Sequence, residues 1–133
     1  MMWLVQRAWE ACGARVTRLG APEHDSILAA VSHLPHVVAY ALVNMLAGRR
    51  NAAQLFGLSA GGLRDTVRIA GSSPEMWADI CVANRETLLS AMEDYGNELE
   101  RLRAAIESAD GAELRRLFVA ARNARAKWLV KKP

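Results

Sequence analysis

Only two cysteines, Cys12 and Cys81, occur in 133 residues. They show neither the close pairing of a metal site nor a disulfide framework, so the chain reads as a reduced, cytoplasmic protein. No glycine-rich G-x-G-x-x-G loop occurs anywhere, which removes the usual cradle for a dinucleotide. No signal peptide is visible, because the N-terminus enters an amphipathic Trp3–Trp9 segment almost at once. Basic tracts and nucleic-acid reader motifs are also missing. The 17 Lys and Arg residues are scattered among 14 Asp and Glu, for a formal charge of +3. That mixture is a solvated helical surface and not a nucleic-acid footprint.

The residues that are present favour helix. Hydrophobic residues make up 52% and charged residues 23%, a balance normal for a globular domain, and Ala, Leu, Arg and Glu are strong helix formers. Residues 3–12 are helical in character and Gly13 stops them. Residues 14–19 then alternate apolar and basic side chains with the period of a strand. One helix and one strand make no sheet. Residues 1–20 are therefore expected to be the tail of a preceding α/β domain, and residues 21–133 an all-α domain.

Ile27–Ala47 is apolar enough to span a membrane. Its Ser32, His33, Pro35, His36 and Asn44, without basic flanks on both sides, favour a buried helix of a soluble protein instead. Pro35 should kink or break that helix, since it cannot donate to the carbonyl of Val31. Gly48 ends it, and short helices are expected over 51–58 and 63–70. Ser73-Pro74-Glu75 is a strong helix start. From there Trp77, Cys81, Asn84, Leu88, Ala91, Tyr95, Leu99, Leu102 and Ile106 recur every three or four residues. The spacing predicts one helix of about 35 residues, roughly 50 Å long. Such a helix overhangs a domain of this size, so a homodimer is expected to cover its stripe. Asp110 and Glu113 cap a last helix through Trp128, and Lys131-Lys132 form a basic tail.

Three groups of residues can carry chemistry. His24-Asp25 precedes Ser32-His33-Leu34-Pro35-His36, whose two histidines share a helix face if the helix survives Pro35. No convincing third and fourth ligand accompanies them, so no metal is expected. The plain alternative is that the histidines satisfy carbonyls freed by the proline. In Gly61-Gly62-Leu63-Arg64-Asp65-Thr66-Val67-Arg68 the glycines permit a turn before a helix. Arg64 and Arg68 lie four apart, with guanidinium groups suited to a carboxylate. The plain alternative there is a surface pair of Asp65 with either arginine. Trp77, in the first turn of the long helix, is a packing anchor or lies near a neighbouring subunit's cavity.

In order and spacing, these segments and the subsequent Ser73-Pro74-Glu75-Met76-Trp77 resemble the prephenate dehydrogenase family, over about residues 3–110. The resemblance implies that residues 3–19 are the last helix and strand of the nucleotide-binding domain, ahead of the helical dimerisation domain. It implies an enzyme that oxidises and decarboxylates prephenate or arogenate with NAD or NADP, on the way to tyrosine. His36 is similar to the family's substrate-contacting histidine and Arg68 to its carboxylate-binding arginine, with Ser32 and His33 beside them. Arg64 and Asp65 match a charged pair at a domain or subunit junction, and Trp77 a tryptophan near the partner's site. The family's catalytic histidine lies in the nucleotide-binding domain, so these 133 residues alone are expected to bind no cofactor and to be inactive. A chorismate-mutase-like helical enzyme and a purely structural dimerisation module are the other readings. Mutase turnover would identify the first, and absence of specific prephenate binding the second.

Overall fold

A computed structural model describes residues 2–130, and every regular element among them is helical. Helix α1 (Met2–Ala11) is succeeded by an irregular stretch to Gly20 and by α2 (Ala21–Leu28), which runs through a π-helical turn (Ala29–His33) into α3 (Leu34–Ala47). Two short helices, α4 (Ala52–Gly57) and α5 (Gly61–Val67), lead to a 3-10 turn (Arg68–Gly71). Helices α6 (Pro74–Ala83), α7 (Arg85–Glu107) and α8 (Gly111–Val130) complete the order. The basic tail expected at Lys131-Lys132 lies outside the described residues.

The chain divides into two compact units, residues 1–88 and 89–133. In the first, α3 packs on α5 and on the 3-10 turn. The Tyr40 hydroxyl of α3 ties this packing down by donating to the Ser72 carbonyl at 2.7 Å. In the second, the remainder of α7 meets α8 through a tight turn. There the N–H groups of Asp110 and Ala109 bond back to the carbonyls of Ala105 and Ile106 at 2.9 and 3.0 Å. This pairing satisfies carbonyls that a helix end leaves open, and it places Ala109 at φ 52°, a conformation that favours glycine. The Asp110 carboxylate then accepts from the Glu113 N–H at 2.9 Å, the expected cap of α8.

Several expectations are corrected. Residues 14–19 form no strand. Alternation prepares a segment for pairing, but a strand exists only when a neighbour accepts its hydrogen bonds, and none of the described residues does so. After α1 the chain instead turns through Gly13 at φ +83°, and Arg18 reaches back to the Gln6 side chain. Of the kink or break expected at Pro35, the break does not occur, since helix runs on both sides of it. The π turn comes immediately before it, and the Leu34 N–H bonds to the Ala29 carbonyl five residues back. Pro35 thereby falls in the first turn of α3, where its missing N–H costs least.

The single long helix from Pro74 is two helices. It is interrupted at Asn84, with φ −110° and ψ 32°, by a residue that hydrogen-bonds elsewhere in the fold. Gly61 and Gly62 are the first residues of α5 rather than a turn ahead of it. Finally, Ala21–Ala47 is not a buried helix within this chain. It is long and apolar enough to cross a membrane by length and composition, yet of its residues only Ala29, His33 and Ala39 are buried. The neighbouring helices of the first unit cover only part of its circumference.

Candidate functional site

The site is organised around Trp77. Ser73 starts α6 by accepting from the Met76 N–H at 3.3 Å, which fixes where the first turn points. Trp77 comes one residue later and is 8% exposed. Its ring carries both histidines of the serine-histidine-leucine-proline-histidine run. His36 stacks on it with centroids 3.5 Å apart and planes 18° apart. His33 meets it edge-on at 6.1 Å and 74°. Trp77 is therefore a wall of this chain's own histidine cluster and a buried packing anchor, the first of the two expectations for it. Its indole Nε1 is buried with no hydrogen-bond partner among the described residues.

The two histidines are in different states. His36 Nδ1 lies 2.9 Å from the Ser32 carbonyl. A carbonyl only accepts, so Nδ1 carries a proton and Nε2 is left for another partner. Ser32 holds the His36 ring through its backbone oxygen. The plain reading, a histidine satisfying a loosened carbonyl, accounts for one ring nitrogen and leaves the other unclaimed. His33 is buried, and its Nδ1 faces the Asn84 side-chain Nδ2 at 3.2 Å. That amide nitrogen also donates to the Asp25 carbonyl at 2.8 Å. An amide NH2 only donates, so His33 Nδ1 accepts and its proton sits on Nε2. Burial, the largest influence, holds His33 below the usual histidine range, against the opposing pull of Asp25.

Arg68 opens the 3-10 turn that packs against α3. His36 and Tyr40 are four residues apart on α3, hence on one face, and Tyr40 bonds to Ser72 at the end of that same turn. Arg68 is exposed and has no side-chain hydrogen bond or ion pair among the described residues. Arg64 and Asp65 are exposed as well, and Asp65 pairs with neither arginine. The surface pair raised as the plain alternative does not form. His24 and Asp25 meet at 3.0 Å with both side chains about half exposed. No three potential metal ligands converge among the described residues.

Sequence reasoning missed Thr87 and Tyr40. It set Asn84, with Arg85, beside the Pro74–Trp77 group and in the apolar stripe, but gave it no partners. An amide on such a stripe was the available signal, because buried amides need partners. The Thr87 hydroxyl donates to the Asn84 Oδ1, which completes that side chain's set of bonds.

A dinucleotide does not fit these residues. The described residues contain no strand–turn–helix unit, and the glycines of α5 lie inside a helix of seven residues.

Residues 20–120 match the family described as prephenate dehydrogenase, dimerization domain. The chain is 40% identical over 119 residues to a cyclohexadienyl dehydrogenase of Zymomonas mobilis, covering 88% of this chain and 41% of that protein. It is 35% identical over 113 residues to a prephenate dehydrogenase of Bacillus subtilis, covering 84% and 30%. Its fold is similar to that of prephenate dehydrogenase from A. aeolicus, solved in complex with hydroxyphenyl propionate and NAD+. The TM-score is 0.87 at 35% identity, over 95% of this chain and 44% of that one. The chain thus spans less than half the length of each of these relatives. Each of the three is named as a dehydrogenase. With helices throughout and a family match over most of its length, the chain belongs to the dimerization-domain family of prephenate dehydrogenases.

Proposed function

We propose that these residues supply the substrate-contacting side chains and the subunit interface of a cytoplasmic, homodimeric dehydrogenase. Its reaction would be the NAD- or NADP-dependent oxidative decarboxylation of prephenate or arogenate, in tyrosine biosynthesis. The observation that carries this reading is His36. One nitrogen is committed to the Ser32 carbonyl, the ring is held flat on Trp77, and Nε2 is available. While neutral, Nε2 accepts from a substrate hydroxyl. Arg68, on the turn packed beside α3 and without an internal partner, offers a guanidinium to a carboxylate. Cofactor binding and hydride transfer belong to residues beyond these 133, since none here fits a dinucleotide. Purified free of contaminating enzyme, the chain is expected to reduce neither NAD nor NADP with prephenate. Measurable reduction would overturn this division of labour.

The interface reading rests on apolar surface. In the second unit Leu89, Leu99, Ile106 and Phe118 are each about half exposed or more. Covering a side chain of this kind stabilises by about 1.5–3 kcal/mol if it becomes fully buried. The surface left uncovered on Ala21–Ala47 has the same need, and a second subunit meets it without lipid. The chain is expected to remain a dimer at micromolar concentration. A scattering mass of 14.6 kDa, that of one chain, would count decisively against it.

A further inference from the structure

We propose that Asn84 is a positioning residue. Its side-chain amide keeps His33 neutral with the proton on Nε2, and so holds the Trp77–His36 stack in place. Asn84 is the one-residue break between α6 and α7, and every polar atom of its side chain is used. One amide hydrogen goes to the Asp25 carbonyl at 2.8 Å and the other to His33 Nδ1 at 3.2 Å. The Oδ1 accepts from Thr87. The amide therefore bridges the C-terminal part of α2, the π turn and the start of α7. A proton on His33 Nδ1 would set one donor against another, and the bridge would open at that point.

The titratable groups that face His33 are Asp25 and His24 from α2 and His36 from α3. Helices α6 and α7 present Trp77 and Asn84, neither of which titrates in this range. Asp25 favours a charged ring while burial and the two histidines oppose it. The amide adds a geometric reason for neutrality, because it offers the ring only a donor. His33 in turn packs its edge against Trp77, whose face carries His36. That the stack serves a substrate rests on the function proposed above. The protonation state of His33 does not.

Nitrogen-15 NMR of the histidine rings in the 133-residue chain tests this directly. In the wild type, His33 should have a proton on Nε2 and a bare Nδ1, and His36 the reverse arrangement at Nδ1. Asn84→Asp keeps the shape but replaces the donor with a carboxylate. His33 should then carry a proton on Nδ1 and titrate about 1–3 units higher, as expected for an opposite charge in contact. The stability profile should change sign with it. Wild-type His33 binds its proton less readily folded than unfolded, so its contribution falls as pH drops below the ordinary value of 6.5. In Asn84→Asp the contribution is full below that value and is lost as pH rises through the raised one. A role in packing alone would not reverse the slope. A proton on Nδ1 of wild-type His33 near neutral pH would overturn the proposal even if the variant failed to fold. So would an Asn84→Asp chain in which His33 titrates as before. Failure of the substrate reading, tested separately at Arg68, leaves both measurements standing.

Discussion

Replacing Trp77 by alanine should destabilise the first unit by about 3–5 kcal/mol, the usual cost of removing a large buried aromatic side chain. Against a typical total of about 5–15 kcal/mol, that is enough to unfold a marginal domain. Trp77 is among the few buried residues of the chain and the only large aromatic one among those described, so little else can refill the space. The loss extends beyond area, because His36 and His33 both rest on the ring. Trp77→Phe separates the contributions. It keeps a stacking face for His36 and removes the indole N–H, which is buried without a partner among the described residues. An unpaired buried donor itself costs about 1–3 kcal/mol, so the phenylalanine variant should lose much less than the alanine variant. Urea midpoints at one fixed protein concentration would read both, since association shifts apparent stability. Equal, small losses in the two variants would remove Trp77 from the centre of the site.

Arg68→Ala in an active enzyme carrying this domain should raise KM for prephenate about ten- to hundredfold. That is the equivalent of losing a charge-assisted bond of about 1.5–3 kcal/mol. The turnover number kcat should stay unchanged if the contact is equally strong in substrate and transition state. Lysine should rescue only in part, since it keeps the charge and loses the two-pronged geometry. The competing view made Arg68 a surface partner of Asp65. That pair is absent among the described residues, so the guanidinium has no internal role to lose and melting should change little. An unchanged KM in a normally folded Arg68→Ala enzyme would end the assignment.

Local signals were legible in the residues, and distant ones were not. Ser73-Pro74-Glu75 announced the start of α6, and Asp110 with Glu113 the start of α8, because a cap is made by neighbours in sequence. Gly13 marked the end of α1 for the same reason. The break at Asn84 could not be read this way. Its bonds reach Asp25 and His33, 59 and 51 residues away, while the apolar stripe runs through it undisturbed. The stripe itself divides there in fate. Trp77 and Leu88 are buried in the first unit, while Leu99 and Ile106 of the second are exposed. The strand expected over 14–19 failed because alternation reports a capacity to pair, and pairing needs a second segment. Of the site, His36, His33 and Trp77 were named from the sequence and meet in space. Asn84 was named beside Trp77, but its bridge between α2, the π turn and α7 was not legible, because its partners are distant in sequence.

The π turn at Ala29–His33 also changes the phase of everything after it. Such a turn amounts to one extra residue within a helix, and one residue is about 100° of rotation. Helical wheels drawn for α2 and for α3 therefore cannot be superimposed as one wheel. His33 closes the turn and His36 lies beyond it, and the two rings meet one indole in different geometries, edge-on and stacked. Pro35 marks the seam where the phase is reset.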